Sequence, residues 1–150
     1  MNDFAEQETD SGRGYFLSAS ERRLAASLER ALAVPYLTWR DPGPVRKVTT
    51  EEGGSFEYRP DFLIRNEKTG RTLAVELQVQ LGLSRPNLIM YKMLSESYRK
   101  TGEEFLVLID GVEEGLPARW LRNDGVRTAW VGGAGQSVES AIREAVLAAL

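Results

Sequence analysis

Residues Tyr58 to Gln80, YRPDFLIRNEKTGRTLAVELQVQ, read as one β-hairpin with acidic residues at chosen places. In its second half Leu73, Val75, Leu77, Val79 and Leu81 alternate with Ala74, Glu76, Gln78 and Gln80. That period of two predicts a strand with one buried face, on which Glu76, Gln78 and Gln80 all point the other way. In its first half Pro60 opens the apolar run Asp61-Phe62-Leu63-Ile64, and Asn66-Glu67-Lys68-Thr69-Gly70 supplies a polar turn containing glycine. A hairpin folded about Lys68 sets Asp61 opposite Val75 or Glu76. Two carboxylates then meet beside the amide of Gln78.

Carboxylates brought together repel and raise each other's pKa unless a cation lies between them. Mg²⁺, which takes one or two carboxylates together with waters and phosphate oxygens, is the cation such a pair suggests, and with it phosphodiester chemistry. Composition narrows the field from the other side. Cysteine and histidine are both absent, which excludes disulfides, thiolate nucleophiles, Cys- or His-ligated metals and Ser-His-Asp hydrolysis. Carboxylates, amides, lysines and tyrosines remain as the available machinery.

Pro60-Asp61, followed after fourteen intervening residues by Glu76-Leu77-Gln78, resembles the signature of the PD-(D/E)xK nuclease superfamily, with Gln78 where the motif has lysine. Some restriction-enzyme members are similar in carrying Glu-x-Gln. The resemblance implies an α/β fold of the restriction-endonuclease-like kind, an αβββαβ core whose mixed central sheet is flanked by helices. It also implies Mg²⁺, with Mn²⁺ as a substitute, held by Asp61, Glu76 and the Leu77 carbonyl, and DNA as the partner. A neutral Gln78 can orient water but brings no charge, which leaves two expectations. One is a slow or Mn²⁺-preferring nuclease, and the other a catalytically inactive module of the same fold that binds nucleic acid or a protein. Apart from the resemblance, a plain α/β domain in which Asp61 and Glu76 pair with Arg59 or Arg71 is a further reading. Lysine at position 78 is expected to be tolerated structurally.

Other candidates surround this motif. Leu24, Leu28, Ala31 and Leu32 recur at helical spacing over Ser18 to Ala33, and Glu21 lies on the same stripe. Ser20-Glu21-Arg22 resembles the first-helix acid of the Holliday-junction resolvases, which implies Glu21 as a third carboxylate reaching the metal site. Ser18-x-x-Glu21 is equally a capping box. After the hairpin, Pro86 suits the first turn of a helix running to about Lys100, with Asn87, Tyr91, Leu94 and Tyr98 on one face. Asn87-x-x-x-Tyr91 resembles a Gln-x-x-x-Tyr motif of some of these nucleases and marks Asn87 and Tyr91 as substrate-positioning candidates. Lys92 beside them is a candidate for the missing positive charge, and equally an exposed helical lysine.

The rest of the chain is read by the same rules. Tyr36 to Arg40 and Val45 to Thr49 are short β-prone segments, the first strand of the sheet among them, and Glu51 to Ser55 is a turn. Glu104 to Asp110 is nearly continuous apolar sequence, expected at the centre of the sheet with both faces buried. Gly111 to Asp124 is loop or short helix, Val126 to Val131 a strand, Gly132 to Gly135 a flexible turn, and Ser137 to Leu150 an amphipathic helix packed on the sheet. At 150 residues and 42% hydrophobic, one domain over residues 14–150 is expected, preceded by an acidic, disordered tail over residues 1–13 that is dispensable for folding.

The net charge of −3 hides an uneven distribution. Without Asp3, Glu6, Glu8 and Asp10 the remainder carries 18 acidic and 19 basic residues, neither helping nor excluding a nucleic-acid partner. No apolar run approaches the roughly 20 residues of a membrane span, so no membrane association and a cytoplasmic location are expected. A nuclease domain of this length is also expected to work with a second copy of itself or a partner protein.

Overall fold

The computed structural model describes residues 18–132 and 137–150; the acidic tail and most of the glycine-rich turn lie outside them. The chain is an α/β structure in which α1 (Ala19–Ala31) is followed by five strands, β1 (Leu37–Arg40), β2 (Arg46–Thr49), β3 (Ser55–Tyr58), β4 (Phe62–Asn66) and β5 (Thr72–Val79). A short 3₁₀ turn (Gln80–Gly82) leads into α2 (Arg85–Lys100), β6 (Glu104–Asp110), α3 (Gly115–Asn123), β7 (Arg127–Trp130) and α4 (Val138–Ala149). Five strands rather than three thus separate the first two helices described. Among the described residues no helix is long and apolar enough to cross a membrane.

A mixed sheet in the order β1-β4-β5-β6-β7 forms the centre, and β2 and β3 make a separate two-stranded sheet. The first three strands run antiparallel through two pairings, and β5, β6 and β7 are parallel, with α2 and α3 as the crossovers. Helices cover both faces. On one, α1 and α4 bury Leu24, Leu28, Ala31, Ile142 and Val146 against Phe62, Ile64, Leu73, Val75, Leu77, Leu106 and Leu108. On the other, Leu88, Tyr91, Leu94 and Tyr98 of α2 and Leu121 of α3 pack with Val48 and Tyr58 of the small sheet on Ala74, Phe105, Val107 and Ile109.

Two expectations change here. The expected single buried face of β5 is in fact two, because Ala74 and Gln78 are covered as well as Leu73, Val75 and Leu77; the small sheet and α2 supply the second cover. The sheet's centre is β5, not β6, since the parallel strand β7 pairs beyond β6. Leu81 drops out of the alternation altogether. It sits fully exposed in the 3₁₀ turn.

Local chemistry explains the helix boundaries. Ser18 caps α1 by accepting the Glu21 backbone N–H, while the Glu21 carboxylate accepts the Ser18 N–H at 3.0 Å, a reciprocal capping box. Ser84 caps α2, where Pro86 needs no hydrogen bond for the N–H it lacks. Gly70 closes the β4–β5 turn at a φ of 77°, a left-handed conformation that a side chain would strain.

Candidate active site

Phe62 pairs with Val75, and the register continued by one residue sets Asp61 against Glu76. Here β4 ends and β5 runs on, so the backbone groups of β5 that face β4 lose their partners. Side chains replace them. The N–H of Leu77 donates to Asp61 Oδ2 at 2.8 Å, and the N–H of Val79, two residues on and facing the same way, donates to Gln78 Oε1 at 2.8 Å. In an extended strand the carbonyl of a residue faces the same side as its N–H, so the Leu77 oxygen also looks toward the gap beyond β4. Asp61 is 1% exposed there.

Glu76 and Gln78 turn toward the tyrosine-rich face. The Tyr58 hydroxyl donates to Glu76 Oε1 at 2.6 Å, within the range of a charge-assisted bond. Gln78 Nε2 donates to the Tyr91 hydroxyl at 2.7 Å, so both ends of this amide are engaged inside the protein. Gly82 lies against it, and a Cβ at position 82 would come within 2.0 Å of Gln78 Oε1. The expected tolerance of lysine at position 78 is corrected by this packing: at 8% exposure an ammonium would be buried and the Val79 N–H would lose its acceptor.

The phenols report the field of the acids. Burial, then the charge of Glu76 and the hydrogen bond to it, then the charge of Asp61, hold the Tyr58 hydroxyl well above the usual phenol range. Burial first and the Glu76 charge second raise Tyr91 too, with Asp61 and Glu21 adding to the shift and the Gln78 amide opposing it. Tyr91 therefore senses three carboxylates, two from the hairpin and one from α1. Glu21 acts there only through its charge, from the N-terminal end of α1, while its own oxygen serves the cap.

Asn87 Nδ2 donates to the Gly82 carbonyl at 2.7 Å and fastens the 3₁₀ turn to α2. Lys92 is exposed on α2. Arg71 pairs with Glu104 at 3.4 Å rather than with either hairpin acid. At the adjoining strand end, the Gln80 side chain makes two hydrogen bonds to the backbone of Val112, Nε2 donating to its oxygen at 3.2 Å and Oε1 accepting from its N–H at 3.0 Å. Tyr58 is the residue that sequence reasoning missed. Phe56 and Tyr58 alternate with Ser55 and Glu57, a period-two signal that marks the short strand β3.

Among the described residues no group of three or more acidic side chains stands close enough to hold a metal ion, so the candidate set has two carboxylates. With the Leu77 carbonyl they form a set of hard oxygen donors, the kind Mg²⁺ accepts when a phosphate substrate and water supply the rest. A cleft of about 430 Å³ between β2 and α2, and a smaller one beside Pro60, Leu63 and Tyr98, are lined by none of Asp61, Glu76 and Gln78. No family model matches the chain, and no curated protein or solved structure is significantly similar to it.

Proposed function

We propose that this chain hydrolyses DNA phosphodiester bonds with a divalent cation held by Asp61, Glu76 and the Leu77 carbonyl, on a core of the restriction-endonuclease-like kind. The observation that carries this reading is the bond from the Leu77 N–H to Asp61 Oδ2, which draws Asp61 to the Glu76-Leu77 backbone where the β4–β5 ladder ends. When bound, Mg²⁺ lowers the pKa of a coordinated water and neutralises charge developing on the phosphate. Asp61 is held by a backbone donor and Glu76 by a phenol, which restricts the freedom of both carboxylates. Tyr91, Gln78, Gly82 and Asn87 form a brace that fixes the β5 end to α2. Gln78 is a member of that brace. In this reading its role is structural.

A specific observation favours a second reading, a module of the same kind that binds nucleic acid or a protein partner without cleaving it. Asp61 and Gln78 both complete the broken ladder, a role that requires no cation. Cleavage of single-stranded, duplex and branched DNA in Mg²⁺ and Mn²⁺ separates the two. The first reading expects metal-dependent product with the wild type and loss of it in Asp61→Asn, which keeps an acceptor for Leu77 and removes the charge. No product from any substrate, with nucleic acid or a partner still bound, selects the second.

A further inference from the structure

The small β2–β3 sheet has no place in the motif that drew attention to the hairpin, yet it reaches the candidate site through one atom. Tyr58, the last residue of β3, places its hydroxyl 2.6 Å from Glu76 Oε1, while its ring is 8% exposed and meets Phe105 edge-on at 6.2 Å. The residue across the strand pair from Tyr58 is Arg46. Its guanidinium lies 3.8 Å from the centre of the Tyr98 ring, donates to the Ser97 carbonyl and pairs with Glu103. Tyr98 in turn stacks on Phe105 at 5.8 Å. Arg46, Tyr98, Phe105 and Tyr58 thus form a continuous packed path from the end of α2 to Glu76. Little freedom is left to the phenol, and little to the carboxylate oxygen it holds.

We propose that Tyr58 is a positioning residue for Glu76, anchored by Arg46, and that it sets the affinity of the site for its cation. The inference rests on the reading of Asp61 and Glu76 as cation ligands. A half-buried carboxylate facing a second carboxylate is stabilised as an anion by a hydrogen-bond donor, and its rotamer is fixed by it. Groups that hold a ligating side chain in this way typically contribute 10- to 100-fold to metal affinity, as an order of magnitude. Removing the hydroxyl alone leaves the ring contacts with Phe105 in place, so the effect on binding is separable from packing.

The test is Mn²⁺ calorimetry on the whole chain, wild type against Tyr58→Phe, with thermal melting of both. We expect the variant to bind Mn²⁺ at least about tenfold more weakly, at a melting temperature within a few degrees of the wild type. Affinity within twofold of the wild type in a folded variant overturns the inference and leaves the cation site standing. No Mn²⁺ uptake by the wild type overturns the cation site and the inference together. Should Tyr58→Phe not fold, Arg46→Met is the variant to use. It keeps an apolar stem over Tyr98 and removes the anchor, and it is expected to weaken Mn²⁺ binding severalfold; unchanged affinity there overturns the inference.

Discussion

The two faces of the central sheet are built from the same strands to opposite ends. On the α1 and α4 face, β5 contributes Leu73, Val75 and Leu77 to a mainly apolar core, at whose edge buried Asn66 donates to the Leu150 carbonyl. On the α2 and α3 face the same strand contributes Ala74, Glu76 and Gln78, among the hydroxyls of Tyr58 and Tyr91. The difference lies in what each face can be asked to do. An apolar face stabilises through the area it removes from water and is indifferent to charge, whereas a polar buried face costs free energy unless every group finds a partner. On the second face side-chain bonds engage Glu76, Gln78 and the hydroxyls of Tyr58 and Tyr91, and those bonds help hold the site, while Ser95 Oγ of α2 is buried without a hydrogen-bond partner.

Substitutions on the two faces should therefore fail differently. The largest loss of stability is expected from Leu106→Ala on the apolar face, about 3 kcal/mol by urea unfolding, because Leu106 is fully buried and its removal leaves a cavity. Its effect on any metal binding should be small in the fraction that remains folded. Gln78→Lys on the polar face is expected to cost about 2 kcal/mol, chiefly by leaving the Val79 N–H without its acceptor. A gain of activity in this variant with no loss of stability would mean that the brace between Gln78 and Tyr91 is dispensable. Smallest of all is Arg71→Ala, expected to cost about 0.3 kcal/mol, since its pair with Glu104 is half exposed at the arginine and screened by solvent. A cost above about 1 kcal/mol there would show that the sheet's far end is more strongly tied by charge than the geometry indicates.

Much of this contrast was legible in the chain itself. The Glu104 to Asp110 run is β6 to the residue, because a strand covered on both faces needs no alternation and leaves an unbroken apolar signature. Turn length placed Asp61 opposite Val75 or Glu76, and the register of the strand pair selects Glu76, since pairing in a hairpin is fixed by where it folds. The strand β3 and with it Tyr58 went unread, because four residues next to a turn carry little propensity and take their conformation from the partner strand. The second cover of β5 was hidden for the same reason. The bonds of Gln78 depend on how closely α2 packs at Gly82, a tertiary distance that no local pattern encodes.

The central claim is that Asp61 and Glu76, together on the polar face, hold a divalent cation. Mn²⁺ calorimetry on the wild type and on Glu76→Gln tests it most directly, because the amide keeps an acceptor for the Tyr58 hydroxyl while losing the charge. The account predicts saturable binding by the wild type and at least about a tenfold loss of affinity in the variant. Equal binding by the two proteins, or none by the wild type, would contradict it.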